Sequence, residues 1–189
     1  VDPYLDALIK ELTFISERMK DYTLDTIYIG GGTPTTLNAA QMERLLSKVT
    51  ELFPMDQVQE FTVEAGRPDS ITREKLEVLK KHGVDRISIN PQTMKQDTLR
   101  LIGRRHTVED VVDRFKLARE VGFDNINMDL IAGLPGETRA DMQDTLRRIK
   151  ALAPDSLTVH ALAIKRAAKF GQEGRTMDLH SEISGMVED

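Results

Sequence analysis

The chain has 189 residues, 40% hydrophobic and 30% charged, with a net charge of -5, which suits a single soluble domain with a substantial core. The acidic balance argues against a nucleic-acid partner, whose phosphates need a basic face, and no apolar run nears the roughly 18 residues of a membrane span or reads as a secretory signal; a cytoplasmic location is expected. With no cysteine, disulfides and thiolate-bound zinc or iron are excluded from these residues, and no metal ligand is expected.

The start at Val1-Asp2-Pro3, without an initiator Met, fits a processed or excised segment. From Tyr4 to Met19, the apolar residues Leu5, Leu8, Ile9, Leu12, Ile15 and Met19 recur on one helical face. A β-branched run at Thr26–Ile29 reads as a strand and leads into Gly30-Gly31-Gly32-Thr33-Pro34. Glycines let a backbone approach a ligand closely, and pre-proline geometry keeps Thr33 extended. Taken by itself the run reads as a plain βα turn with Pro at a helix start. It matches neither the P-loop pattern GxxxxGKS/T nor the dinucleotide pattern GxGxxG.

Asn38 suits the cap of a helix whose apolar face is Met42, Leu45, Leu46, Val49 and Leu52. The next strand, Glu60–Val63, ends on Glu64, either a solvated rim carboxylate or a site residue at the C-terminal rim. Gly83 and Gly122 fall where left-handed helix ends are expected. After the strand Arg86–Ile89 come Gln92, whose amide both donates and accepts, and Arg104, a fork suited to a carboxylate. The plainer reading of Arg104 and Arg105 is a solvated pair before the capping-box-like Thr107-x-x-Asp110. That cap opens a helix with Val108, Val111, Val112, Phe115 and Ala118 on one face.

In the strand Ile126–Leu130, Asp129 interrupts an apolar run, so it needs a partner; a ribose diol, a neighbouring Arg or a backbone N–H each serve. The last strand is Leu157–His160, followed by Ala163, and a loosely held terminal helix is expected over Lys169–Asp189. The four histidines, His82, His106, His160 and His180, have no zinc-site spacing and read as surface or packing residues.

Strand starts recur about every 30 residues, the length of a βα unit. The fold class is α/β: a parallel sheet with helices outside. A closed (β/α)₈ barrel needs about 250 residues, so a single domain over 1–189 is expected as a partial TIM-like barrel. It holds the second to sixth units and lacks the first strand and the terminal regions. Each candidate follows a strand, on the face where a parallel barrel gathers its site, and the strand N-termini carry no comparable set.

The series GGGTP, TVEA, SINPQTM, LIGRRHT, NINMDLIAGLPGET and LTVHALAIKR, in that order from Val1 to about Arg166, resembles the radical S-adenosylmethionine (SAM) superfamily. More narrowly it is similar to the oxygen-independent coproporphyrinogen III oxidases (dehydrogenases). The resemblance implies that Gly31, Gly32 and Thr33 hold the methionine end of SAM, with Gly30 and Pro34 shaping the turn. It implies that Glu64 binds the amino-acid portion and Arg104 its carboxylate. Gln92 and Asp129 would take the ribose hydroxyls, and Ile131 and Ala163 would pack on adenine.

The resemblance further implies a [4Fe–4S] cluster that reduces SAM to a hydrogen-abstracting 5′-deoxyadenosyl radical. For coproporphyrinogen III this starts oxidative decarboxylation to protoporphyrinogen IX, with a tetrapyrrole substrate and an external electron donor as partners. The cluster's CxxxCxxC loop has no counterpart here. The expectation is a truncated core that binds SAM but makes no radical alone, in a parent protein that holds the cluster. The alternatives are a haem-binding chaperone of the same family and a cofactor-free barrel domain.

Overall fold

The structure is a computed structural model that describes residues 1–162. Ala163 and the expected terminal helix over Lys169–Asp189 lie outside the described residues. The elements in order are α1 (Asp2–Arg18), β1 (Thr26–Ile29), α2 (Ala39–Leu52), β2 (Glu60–Glu64), α3 (Arg73–Lys81) and β3 (Arg86–Gln92). They continue with α4 (Gln96–Leu101), α5 (Val108–Val121), β4 (Asn125–Ala132), α6 (Arg139–Leu152) and β5 (Ser156–Ala161). Short 3₁₀ turns at Pro34–Thr36 and Pro68–Ser70 follow β1 and β2.

The helices begin where side chains satisfy their orphan N–H groups. At α2, Asn38 Oδ1 accepts from the Gln41 N–H at 2.8 Å, and Gln41 Oε1 accepts from the Asn38 N–H at 3.1 Å. Thr107 with Asp110 makes the same reciprocal box at α5. Thr138 with Asp141 repeats it at α6, a start the apolar spacing alone does not single out. At the other ends, Gly83 and Gly122 take φ of 79° and 99°, a region that glycine enters without steric cost. Thr107→Ala is expected to lower stability by about 1 kcal/mol, read as a lower urea midpoint with an unchanged slope.

Among the described residues the five strands are all parallel and lie in the order β1-β2-β3-β4-β5. Right-handed crossovers that always step the same way put every helix on one face. Helix layer and sheet therefore share a core of Leu46, Leu76, Phe115, Phe61, Ile87, Ile89, Ile126 and Met128. An unreversed order is the arc of a (β/α) barrel rather than a doubly wound sheet, which reverses at its switch point. Successive strand residues alternate between faces, so the core set leaves Thr62, Glu64, Arg86, Ser88, Asn127, Asp129, Ser156 and Thr158 on the inner face. Acidic residues pin neighbouring strand starts: Asp85 Oδ1 accepts from the Phe61 N–H at 3.0 Å and Asp155 Oδ2 from the Ile126 N–H at 2.7 Å.

On α1 the expected face holds for Leu5, which is buried, and for Leu8 and Leu12, which pack on the core. Ile15 instead remains 37% exposed, because α1 covers only the edge of the sheet beside α2. Among the described residues no helix is long and apolar enough to cross a membrane.

Candidate functional site

The glycine turn leaves β1 beside the end of β2. Gly31 takes φ of 104°, and its N–H donates to Glu64 Oε2 at 3.2 Å. A Cβ on Gly30 would lie 2.3 Å from Tyr28 Cε1 and 2.9 Å from Glu64 Oε2. A side chain at Gly30 would have to displace Tyr28 or Glu64, and Gly31 is favoured by its backbone angle. Thr33 is extended, with φ of -128°, and Pro34 opens the 3₁₀ turn as the sequence predicts. Glu64 is therefore tied to the turn rather than only solvated. Tyr28 stands beside it, 62% exposed. Desolvation of its phenol, followed by the Glu64 carboxylate, holds it above the usual tyrosine range.

Strand β3 ends in an irregularity that brings Gln92 to the rim. The register with β4 shifts between Ile89 and Gln92, and Gln92 takes φ of 71° while 8% exposed. A non-glycine residue pays steric strain of about 1–2 kcal/mol there, so its surroundings must hold it. Thr93 Oγ1 donates to Glu137 Oε1 at 2.5 Å, and Met94 N–H donates to Thr145 Oγ1 at 3.1 Å. Both contacts tie the loop after Gln92 to the unit that follows β4.

Burial holds the Glu137 carboxyl above its usual range, against the Thr93 hydroxyl that lowers it. A raised folded-state value adds stability below the unfolded carboxyl range, and that stability is lost as pH rises through the folded value. Glu137→Gln is therefore expected to show a flatter loss of stability than wild type as pH rises from the ordinary carboxyl range to neutrality. Urea unfolding across that window measures it; parallel curves for the two proteins would refute the expectation.

Arg104 and Arg105, adjacent in sequence, part company in the fold. Arg105 is exposed while Arg104 is half-buried. Burial first, then the like charge of Arg67, pull the Arg104 guanidinium below its usual value, and Asp69 opposes them. Asp69 is already held by Arg67 at 3.1 Å. Arg104 has no salt bridge or side-chain hydrogen bond among the described residues. It remains charged, which leaves its guanidinium donors available to an anionic ligand. Buried His106 steadies this loop, with Nε2 3.4 Å from the Pro91 carbonyl, one residue before Gln92. His106 is 1% exposed, as suits a packing residue, and burial holds it below the usual histidine range.

Asp129 lies on the inner face of β4 and finds a partner that the sequence reading did not name: Asn127 Nδ2 donates to Asp129 Oδ1 at 2.6 Å. Ile131 follows on the same face, half-buried, level with His160 of β5. Glu64, Gln92, Arg104 and Asp129 are thus all carried at or beyond the C-terminal halves of β2, β3 and β4. Arg86, Ser88, Asn127, Ser156 and Thr158 form a connected polar group on the same face. Their period-two alternation with core residues was the available signal.

A family model described as the Radical SAM superfamily matches residues 7–149. The oxygen-independent coproporphyrinogen-III oxidase-like protein HemZ of Bacillus subtilis (strain 168) is 45% identical, over 100% of this chain and 39% of its own length. The heme chaperone HemW of the same organism is 39% identical, over 90% of this chain and 45% of its own. The solved structure of coproporphyrinogen III oxidase (HemN) from Escherichia coli superposes with a TM-score of 0.84 at 30% identity, covering 99% of this chain and 45% of that one. The chain spans less than half the length of these relatives.

Proposed function

The chain belongs to the radical SAM superfamily, and from that premise we propose that it forms the SAM-binding part of an oxygen-independent coproporphyrinogen III oxidase-like enzyme of haem biosynthesis. The observation that carries this reading is Arg104, a half-buried cation without an anionic partner among the described residues, on the same rim as the glycine turn. SAM supplies the carboxylate that such a guanidinium binds through two parallel hydrogen bonds.

In this reading Gly31, Gly32 and Thr33 receive the methionine end, and Gly30 and Pro34 shape the turn. Glu64 accepts from the ligand's ammonium while it keeps the Gly31 N–H, since an ionised carboxylate has room for several donors. Gln92 and Asp129 bind the ribose hydroxyls. Ile131 offers adenine an apolar surface, and the role proposed for Ala163 falls outside the described residues. In a cluster-bearing parent protein, SAM would supply the deoxyadenosyl group for hydrogen abstraction once reduced by one electron; the part of this chain's own residues is to bind and orient it.

The side chains present do not fit an iron–sulfur cluster. The chain has no cysteine, and among the described residues no group of three or more His, Asp or Glu is placed to hold a metal. We therefore expect these 189 residues to bind SAM without cleaving it. The oxidase substrate, a tetrapyrrole, the external electron donor and a cytoplasmic setting belong to the same proposal. Calorimetry with SAM tests the site: binding that Asp129→Ala and Arg104→Ala weaken supports it, whereas no heat of binding refutes it. Release of deoxyadenosine above background by this chain alone would refute the expected lack of cleavage.

A second reading, a haem-binding chaperone, is favoured by the 39% identity to HemW. A haem titration that saturates at one site, with no decarboxylation of coproporphyrinogen III by the cluster-loaded parent protein, would put this reading first.

A further inference from the structure

Beneath Asp129 the inner face of the sheet carries a chain of hydrogen bonds that runs in one direction. Arg86 Nη2 donates to Ser156 Oγ at 3.2 Å. Ser156 Oγ donates to Asn127 Oδ1 at 2.9 Å, and Thr158 Oγ1 donates to the same oxygen at 3.2 Å. Asn127 Nδ2 then donates to Asp129 Oδ1 at 2.6 Å and to Ser88 Oγ at 3.2 Å. Ser88 Oγ in turn donates to Asn90 Oδ1 at 2.7 Å. Arg86 is also fixed from the other side, by Glu60 Oε2 at 3.1 Å.

The direction is set at both ends. A guanidinium has only donors, and an ionised carboxylate only acceptors. Reversing the Asn127 amide would place its carbonyl oxygen where the donor now meets Asp129, two acceptors at hydrogen-bond distance. Asn127 is 6% exposed, and both its donors and both its acceptor sites are used. A buried amide satisfied on all sides has one orientation.

We propose that Asn127 is a positioning residue for the nucleoside site. Through Arg86 and Ser156 it holds Asp129 Oδ1, which leaves Asp129 Oδ2 for the ligand's ribose hydroxyls. Through Ser88 and Asn90 it steadies the irregular end of β3 that carries Gln92. One amide thus sets both ribose-facing groups. The proposal rests on the assignment of Asp129 and Gln92 to ribose made above.

The test compares adenosine with 2′,3′-dideoxyadenosine, by NMR titration of the isotope-labelled full chain. Wild type is expected to prefer adenosine by about tenfold or more, because buried groups built for a hydroxyl are left unpaired without it. Asn127→Ala is expected to bring that ratio close to one while leaving the affinity for dideoxyadenosine unchanged. A general loss of structure would lower both affinities. Asn127→Asp sets two carboxyls side by side, which share a proton as pH falls. The shared proton restores a donor to Asp129, so the ratio is expected to recover between about pH 8 and about pH 5. Tyr28, Glu60, Glu64, Arg86 and His160 share this face in both proteins, so the difference between the two profiles is what is read.

A wild-type ratio in Asn127→Ala, with the ratio abolished in Asp129→Ala, overturns the relay and leaves the ribose assignment standing. A ratio kept in Asp129→Ala, or a wild type that binds neither nucleoside or does not distinguish them, overturns the ribose assignment and the relay with it. If Asn127→Ala fails to fold, Ser156→Ala decides: it cuts the relay one step earlier and is expected to lower the ratio, and an unchanged ratio overturns the proposal.

Discussion

Replacing Arg104 by Ala should weaken SAM binding by about 10- to 100-fold, the range expected when a charge-assisted hydrogen-bond pair is removed. Stability should move the other way or stay level. The guanidinium is half-buried, it has no ion pair among the described residues, and Arg67 repels it. Removing it relieves desolvation without orphaning a carboxylate, because Asp69 keeps Arg67. Calorimetry with SAM beside urea unfolding separates the two effects. An Arg104→Ala protein that is destabilised and binds as wild type would assign the residue to the fold and not to the site. Arg104→Lys should recover only part of the affinity, since a point charge does not reproduce the planar fork.

The largest effect on stability is expected at Phe61. This side chain is 1% exposed in the second strand of the sheet, between the helix layer and the strands on either side. Phe61→Ala should cost about 3–5 kcal/mol, from lost transfer energy and the cavity left behind. That is a large share of the roughly 5–15 kcal/mol of a whole domain. Its backbone N–H is held by Asp85 across the strand pair, so the strand cannot easily collapse into the void. Equilibrium unfolding followed by circular dichroism reads the loss, and a change below about 1 kcal/mol would mean that the core closes over the site.

The elements and their order were legible because each is written in a local pattern. Met42, Leu45, Leu46 and Val49 fall on one helical face and are buried together. Asn38, Thr107, Gly83 and Gly122 mark helix ends by short-range chemistry, and the structure uses each as expected. The rim candidates Glu64, Gln92 and Asp129 were legible for the same reason: a polar residue closing or interrupting an apolar strand is visible without knowing its neighbours. The strands ran longer than the apolar runs. β3 reaches Gln92 and β4 spans Asn125–Ala132, because pairing with the next strand carries the backbone past the last core residue.

What the chain determined by itself is therefore the parallel α/β plan, the helix boundaries and the set of groups available at the strand ends. Only the tertiary structure decided how those groups are engaged. It separated half-buried Arg104 from exposed Arg105, placed Gln92 in the left-handed region and gave Asp129 an amide partner on its own strand. It also joined Arg86, Ser88, Asn127 and Ser156 into one network across three strands. Helix periods and caps act over three or four residues, so they can be read from neighbours in the chain. A cross-strand hydrogen bond such as Arg86 to Ser156 joins residues 70 positions apart, and its existence depends on a strand register that the packing of the whole sheet decides.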